Sequence, residues 1–270
     1  MEDAELYAHY SRGAERDRLA SGPGRLEFIR TTELIGRFLP AAPALVADIG
    51  GGPGRYAMWL AGLGYQVEHR DLMPLHVQQL RADLREAALA GVHTAMGDAR
   101  DLDLADASVD AVLLLGPLYH LRRRSDRVRA LAQARRVVRP GGPVFAAAIS
   151  RWAPRLDGIL RARLYEVYPD MPALVAGVER TGQLPPFGPD SFSGFCHRPR
   201  QLRAELREAG LVAADLVSVE GPAFLLADVA ERLEDPAARA VVLEVARAVE
   251  RVPELLGIGT HLLATGLRPE

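Results

Sequence analysis

A chain of 270 residues is long enough for one large domain or a domain with a substantial insertion. With 49% hydrophobic and 25% charged residues and a net charge of -2, it reads as an ordinary globular protein; its arginines lie scattered among acids, without the basic arm that nucleic acid demands. A single cysteine, Cys196, excludes an internal disulfide and a cysteine-rich zinc site, and the lack of an apolar leader or a bilayer-length apolar run makes the cytoplasm the expected compartment.

In chain order, residues 1–24 are polar, with Tyr7, His9 and Tyr10 as the large rings, and close on the turn signal Ser21-Gly22-Pro23-Gly24. Residues 25–39 predict a helix with Phe28, Ile35, Phe38 and Leu39 on one face, stopped by Pro40. The stretch that organises the rest runs from Leu45 to Asp71. An apolar strand, Leu45-Val46-Ala47, ends at Asp48 and breaks into Gly50-Gly51-Gly52-Pro53-Gly54, where the backbone must turn tightly and let a ligand approach with no Cβ in the way. Tyr56, Trp59, Leu60 and Leu63 then recur at helical spacing, and a second strand, residues 65–71, closes on Asp71. That acid stands about twenty residues beyond the glycines, where a carboxylate can accept hydrogen bonds from a ribose. The unit predicts a βαβ mononucleotide cradle.

Pro74 opens the next helix, with Val77, Leu80, Leu84 and Ala88 as its apolar stripe. A third strand, Val92–Met96, leads to Gly97-Asp98-Ala99, and a fourth, Val109–Leu115, is apolar enough to be covered on both faces. It runs into Gly116-Pro117-Leu118-Tyr119-His120, at the carboxyl edge where open αβ sheets hold ligands. A helix from Ser125 ends at Arg139-Pro140-Gly141-Gly142 before the fifth strand, Pro143–Ile149. Residues 151–198 break this rhythm and are too many for a plain loop, which predicts an inserted helical cap over the same sheet edge. Its liners would come from Tyr165, Tyr168, Phe187, Phe192, Phe195 and His197. A helix at 200–209, a sixth strand at Leu211–Val219, a helical stretch at 224–251 interrupted by Pro236 and a last strand at Gly259–Leu267 complete the chain.

Four motifs carry a resemblance. Asp48-x-Gly50-x-Gly52-x-Gly54, the acid Asp71 with Leu72 beside it, Gly97-Asp98-Ala99 and Arg139-Pro140-Gly141-Gly142 stand in the order found in class I S-adenosylmethionine-dependent methyltransferases, which this sequence resembles from about Leu26 to Ser150. The resemblance implies an α/β, doubly wound, Rossmann-like seven-stranded sheet whose last strand inserts antiparallel between the fifth and sixth. It implies S-adenosyl-L-methionine as cofactor, held by Asp48, Gly50, Gly51, Gly52, Gly54, Asp71 and Leu72, with Asp98 and Ala99 at the adenine and Gly116 beside the sulfonium. It further implies an N-terminal lid at residues 1–24, which makes Tyr10 and Arg12 candidates, a core at 25–150, a substrate cap at 151–198, and completion of the sheet by 199–270. Arg30 could meet the cofactor carboxylate. His120 is the first candidate for a general base, with Tyr119, His197 and Tyr10 behind it.

His, Asp and Glu show no metal-ligand spacing, so metal-independent displacement is expected. Gly116-Pro117-Leu118-Tyr119 stands where amino-group methylases of nucleobases and glutamine carry Asn/Asp-Pro-Pro-Tyr/Phe. The expected acceptor is therefore a small metabolite, natural product or short peptide, methylated on oxygen or nitrogen, with no nucleic-acid or membrane partner; a homodimer stays open. A P-loop NTPase is excluded because the chain has no lysine. An NAD(P)-dependent oxidoreductase fits the glycine spacing less well, since Arg55 stands where its third glycine belongs. A protein that binds the cofactor without methylating is the other alternative.

Overall fold

The computed structural model describes residues 2–11, 13, 15–188 and 191–270. Five parallel strands, β1 (Leu45–Ile49), β2 (Gln66–Asp71), β3 (Val92–Met96), β4 (Ala111–Leu114) and β5 (Pro143–Ser150), lie in the order β3-β2-β1-β4-β5. The sixth long strand, β8 (Val212–Ser218), does not pair with β5. The last strand, β9 (His261–Leu267), runs antiparallel between them, with Phe145 opposite Thr265 and Leu216 opposite Ala264. The expected sheet is thus present, and strand order reverses between β1 and β4, with Asp48 of β1 flanked by His69 of β2 and Leu113 of β4.

Strict alternation within the strands divides the core. Val46, Ala111, Leu113, Phe145, Ala147, Val217 and Leu263 face one layer, built on α3 (Gly22–Gly36), α4 (Arg55–Gly62) and α5 (Pro74–Glu86). Ala47, Ile49, Val112, Leu114, Ala146, Ala148, Leu262 and Ala264 face the other, built on α7 (Arg124–Val137) and α9 (Pro199–Glu208). Both faces are covered, which is why these strands are apolar throughout.

In the N-terminal stretch, α1 (Glu2–Tyr10) and α2 (Glu15–Arg18) precede α3, and the expected helical cap departs from its pattern. The insertion is helical only as far as Thr181, through short turns at Pro154–Arg161 and Leu164–Glu166 and then α8 (Met171–Thr181). Beyond it a small hairpin, β6 (Gln183–Leu184) and β7 (Gly194–His197), joins the sheet by pairing Cys196 and His197 with Ile149 and Ser150. Because β9 already occupies one edge of Ile149, β7 takes the edge that β4 leaves free above Leu114. The short helix α6 (Pro117–His120) packs against β7 there, which sets Tyr119 and His120 over the strand ends. Farther on, Pro236 starts a new helix, α11 (Pro236–Val249), after α10 (Val229–Glu234), as its missing N–H allows at a first helical position. Among the described residues no helix is long and apolar enough to cross a membrane.

Candidate functional site

The carboxyl ends of β1, β2, β3 and β4 open into one cavity, lined by Gly50–Gly52, Asp71, Leu72, Asp98, Ala99, Gly116, Tyr119, His120 and, from α1, Tyr10. These are most of the residues that sequence pattern had selected. The glycine loop is pinned from below. Asp71 accepts from the backbone N–H of Gly52 and of Met73, each at 2.8 Å, and from His76 Nδ1 at 3.0 Å. Burial pushes Asp71 up, but His76 and these two N–H groups outweigh it and hold the carboxyl below its usual range. His69 braces the loop from the other side, with Nε2 3.1 Å from Gly52 O and Nδ1 2.9 Å from Thr94 Oγ1; burial lowers it to about 4, so it is neutral.

Asp48 lies under this loop and not in the cavity. A Cβ on Gly51 would come within 2.4 Å of Asp48 Oδ2, so glycine lets the backbone rest on the carboxyl. Among the described residues neither Asp48 oxygen has a partner within normal hydrogen-bond geometry, and burial, with the charge of Asp71, outweighs the pull of the Ala57 N–H and pushes its pKa up to about 7. Gly54 also leaves the predicted set. It has φ +87°, and a Cβ there would meet Leu80 Cδ1 at 2.3 Å, so it admits α5 against α4 and does not line the cavity.

On the opposite wall His120 Nε2 and the Tyr10 hydroxyl are 2.7 Å apart, and the ring packs against Phe192 and Tyr119, each 4.7 Å away between centroids. Burial drives His120 down to about 3 and raises Tyr10 and Tyr119, so all three are neutral at pH 7. Asp98 is held by Arg100 at 2.6 Å, and both line the cavity.

Arg30 and His197 miss the cavity for one reason: their side chains are spent on internal pairs. Arg30 is fully buried and bonds Glu250 and Glu33, both at 2.6 Å, and Val219 O at 3.2 Å, so it never reaches the cavity. His197 is equally buried, its Nε2 3.1 Å from Glu205, which Arg127 also grips at 2.7 Å. Of the predicted cap liners Phe192 alone reaches the cavity; Phe195 lies beneath the Arg127 guanidinium, Tyr168 and Phe187 pack on each other, and Tyr165 is exposed. Arg12 lies outside the described residues.

The fold also brings in residues that no motif marked. Arg18 of α2 and Glu27 of α3 pair at 2.5 Å in the cavity wall, and His261, the first residue of β9, stands beside them. His261 Nδ1 is 2.5 Å from Glu220 and 3.8 Å from Glu27. These two acids and the imidazole place their ligand-type atoms within 4.8 Å of one another, a grouping that the sequence, read for local spacing, did not reveal. One signal existed: an antiparallel last strand must begin at the carboxyl edge of its neighbours, which puts its first residues at the site.

A doubly wound sheet with a glycine turn after β1 and an acid ending β2, both in one cavity at the reversal of strand order, defines an αβ protein that binds a nucleotide-type cofactor. The comparisons make this particular. A family described as "Methyltransferase domain" matches residues 47–146. A ubiquinone biosynthesis O-methyltransferase of Xanthomonas axonopodis pv. citri is 30% identical over 205 residues, which cover 76% of this chain and 75% of that protein. A ubiquinone/menaquinone biosynthesis C-methyltransferase of Acidiphilium cryptum is 35% identical over 122 residues, 44% of this chain and 47% of that protein, so the match spans about half of that relative's length. Among solved structures, an S-adenosylmethionine-dependent methyltransferase of Methanosarcina mazei shares the fold with a TM-score of 0.60 over 87% of this chain and 97% of its own, at 15% identity. The chain belongs to the S-adenosylmethionine-dependent methyltransferase family.

The residues present fit that cofactor. The cradle is kept free of side chains where a Cβ would collide with Asp48, and Asp71 presents a braced carboxylate into the cavity. Buried atoms without partners, His76 Nε2 and His120 Nδ1, belong to residues that line the same space.

Proposed function

We propose that this chain transfers a methyl group from S-adenosyl-L-methionine to an oxygen of a small, largely apolar acceptor. The observation that carries this reading is the continuity of one cavity from the Gly50–Gly52 cradle, past Gly116, to walls formed by Leu19, Tyr56, Leu115, Ala147 and Val219. Oxygen is preferred to nitrogen because the relative matched over three quarters of its length is named an O-methyltransferase. A short peptide is the next acceptor to try.

When bound, the cofactor supplies an electrophilic methyl carbon on a sulfonium. Asp71, with Gly50 and Gly52, is assigned to hold its ribose and amino-acid portions, and Asp98 and Ala99 its adenine. The chain's main contribution is orientation and exclusion of water, which can remove several kcal/mol of the barrier when the reactants are well fixed. Tyr10 and His120 form a proton-handling pair. A proton leaving an acceptor hydroxyl passes to the Tyr10 oxygen while Tyr10 gives its own to His120 Nε2, and His120 returns it to solvent after product leaves. Since burial holds the imidazole near 3, the pair acts as the bond to the methyl group forms and does not ionise the acceptor beforehand. The N-terminal helices serve as the lid, on three contacts: Tyr7 Oη to Leu72 O at 3.1 Å, Tyr10 to His120, and Arg16 to Asp83. Segment 151–198 serves as a cap that reaches the acceptor through Phe192 and Ser193.

The test is incubation with isotopically methyl-labelled cofactor and a panel of phenols, alcohols, amines and short peptides, read by mass spectrometry. Label on an oxygen of a ring-sized acceptor supports the reading. Transfer to none of the panel, by protein that binds the demethylated cofactor, would count against it.

A further inference from the structure

Of the three imidazoles that line the cavity, His120 and His261 are in opposite states. His120 is stripped of charge by burial. His261, although burial also lowers it, is raised to about 9 because Glu27 and Glu220 face it, against the opposing charge of Arg18. Groups of one cavity pushed apart in this way mark an acceptor and a donor.

The geometry shows which edge of His261 is left for a ligand. Its ring bonds run through Nδ1, to Glu220 at 2.5 Å and to Thr260 Oγ1 at 3.2 Å, while its backbone N–H donates to the other Glu220 oxygen at 3.0 Å. Glu220 is buried, with its side chain 1% exposed, and so clamps residue 261 by main chain and side chain at once. His261 keeps 19% of its side chain exposed, and it lines the cavity; among the described residues its Nε2 has no hydrogen-bond partner, and it is not sealed from solvent. Glu27 is not an equal rival for a ligand, since both its oxygens are taken by Arg18, at 2.5 and 3.3 Å, and Arg18 is tied in turn to Glu15 at 2.7 Å. The same guanidinium makes the cluster a poor cation site, because it is bonded to the Glu27 oxygen that a metal would need. Beyond the Arg18–Glu27 pair the wall of the same cavity carries the largely apolar Val219, Ala147 and Tyr56.

Building on the methyl-transfer reading, we propose that His261 is an acceptor-recognition residue: its Nε2–H donates to a hydrogen-bond-accepting oxygen, a carbonyl, ether or hydroxyl, carried by the acceptor in addition to the oxygen that is methylated. Glu220 is the positioning residue that fixes the ring. The substrate class is thus a compact, mostly apolar molecule with two oxygen functions on different edges, one toward Tyr10 and His120 and one toward His261. An acceptor that covers Nε2 but carries a single oxygen would shut this donor off from water without a partner, which costs more than the bond itself is worth.

The test uses full-length protein saturated with S-adenosylhomocysteine and a ring-sized fragment set of matched pairs with two, one or no oxygen substituents, such as 4-methoxyphenol, 4-methylphenol and toluene, followed by ligand-observed NMR. Two-oxygen fragments should bind tightest and should weaken roughly ten- to a hundredfold in His261→Phe. His261→Gln, which keeps a donor at similar reach, should recover part of the loss. Binding should fall as pH rises through about 9, and earlier in Glu220→Gln, where one of the two acids facing the ring is neutral. Titration with S-adenosylhomocysteine itself runs beside each variant. If it fails in the unmodified chain, the methyltransferase reading falls; if it succeeds in all of them while fragments ignore oxygen count or His261, only this proposal falls. Failure of every fragment to bind, or zinc binding that is lost in both His261→Phe and Glu220→Gln, would overturn it as well.

Discussion

Around the proposed cofactor position, each wall comes from the end of a strand or the loop that directly follows it: residues 50–52 after β1, 71–73 at the end of β2 and 97–99 after β3. Around the proposed acceptor position, the wall is drawn from Arg18, Glu27, His120, Phe192 and His261, five separate elements spread over the length of the chain. The first side is local in sequence and rests on a buried carboxyl. The second is assembled by topology and held by polar pairs between separate elements, Arg18 with Glu27, Tyr10 with His120 and His261 with Glu220. A conserved chemistry needs a fixed frame for its common reagent, whereas residues contributed by helices and strand starts can vary the acceptor with little cost to that frame.

The strongest way to sharpen this contrast is through Asp48. A carboxyl raised from 3.8 to about 7 favours the folded state when protonated, so its contribution is present below its unfolded pKa and is lost as pH rises through about 7. Asp48→Asn should therefore gain stability relative to the parent between pH 4 and 7, on the order of 4 kcal/mol across that window, read by denaturant titration at each pH. A constant difference between the two proteins would show that the loop does not rest on a strained acid. Next in size is His120→Phe. Turnover should fall about 10²-fold with S-adenosylhomocysteine affinity unchanged, because the residue belongs to the acceptor side; loss of cofactor affinity would erase the division. Gly51→Ala should do the opposite. Its new Cβ meets the Asp48 carboxyl, which should lower stability by about 1 to 3 kcal/mol and weaken the cofactor while sparing fragment binding at His261. Smallest is Tyr7→Phe, which removes one exposed bond to Leu72 O and should weaken cofactor retention by about 0.5 to 1.5 kcal/mol, seen as faster release in stopped flow.

The same division governs what could be read from sequence. The glycine turn, Asp71, Gly97-Asp98-Ala99 and the strand pattern are local signals, because loop chemistry and two-residue alternation are set by neighbours in the chain, and the sheet formed as those signals predicted. Arg30 and Arg18 illustrate the limit. Both are arginines near the start of the chain, yet Glu250, 220 residues away, takes the first into the core, while Glu27 leaves the second at the cavity. His197 looked equally available, and only Glu205, one helix later, shows that it braces the buried Arg127. Gly54 carried the right spacing but serves the packing of Leu80. The pairing of His261 with Glu220 follows from the antiparallel insertion of β9 beside β8, a long-range fact that no window of residues contains.

The account rests on Asp71 as the braced acid of an S-adenosylmethionine cradle. Calorimetric titration with S-adenosylhomocysteine, in parallel with NAD, on the parent protein and Asp71→Ala tests it most directly. Binding near micromolar Kd, about -8 kcal/mol, that disappears in Asp71→Ala, with no heat from NAD, is the predicted result. Undiminished binding in a folded Asp71→Ala, or saturable binding of NAD in place of the homocysteine product, would contradict it.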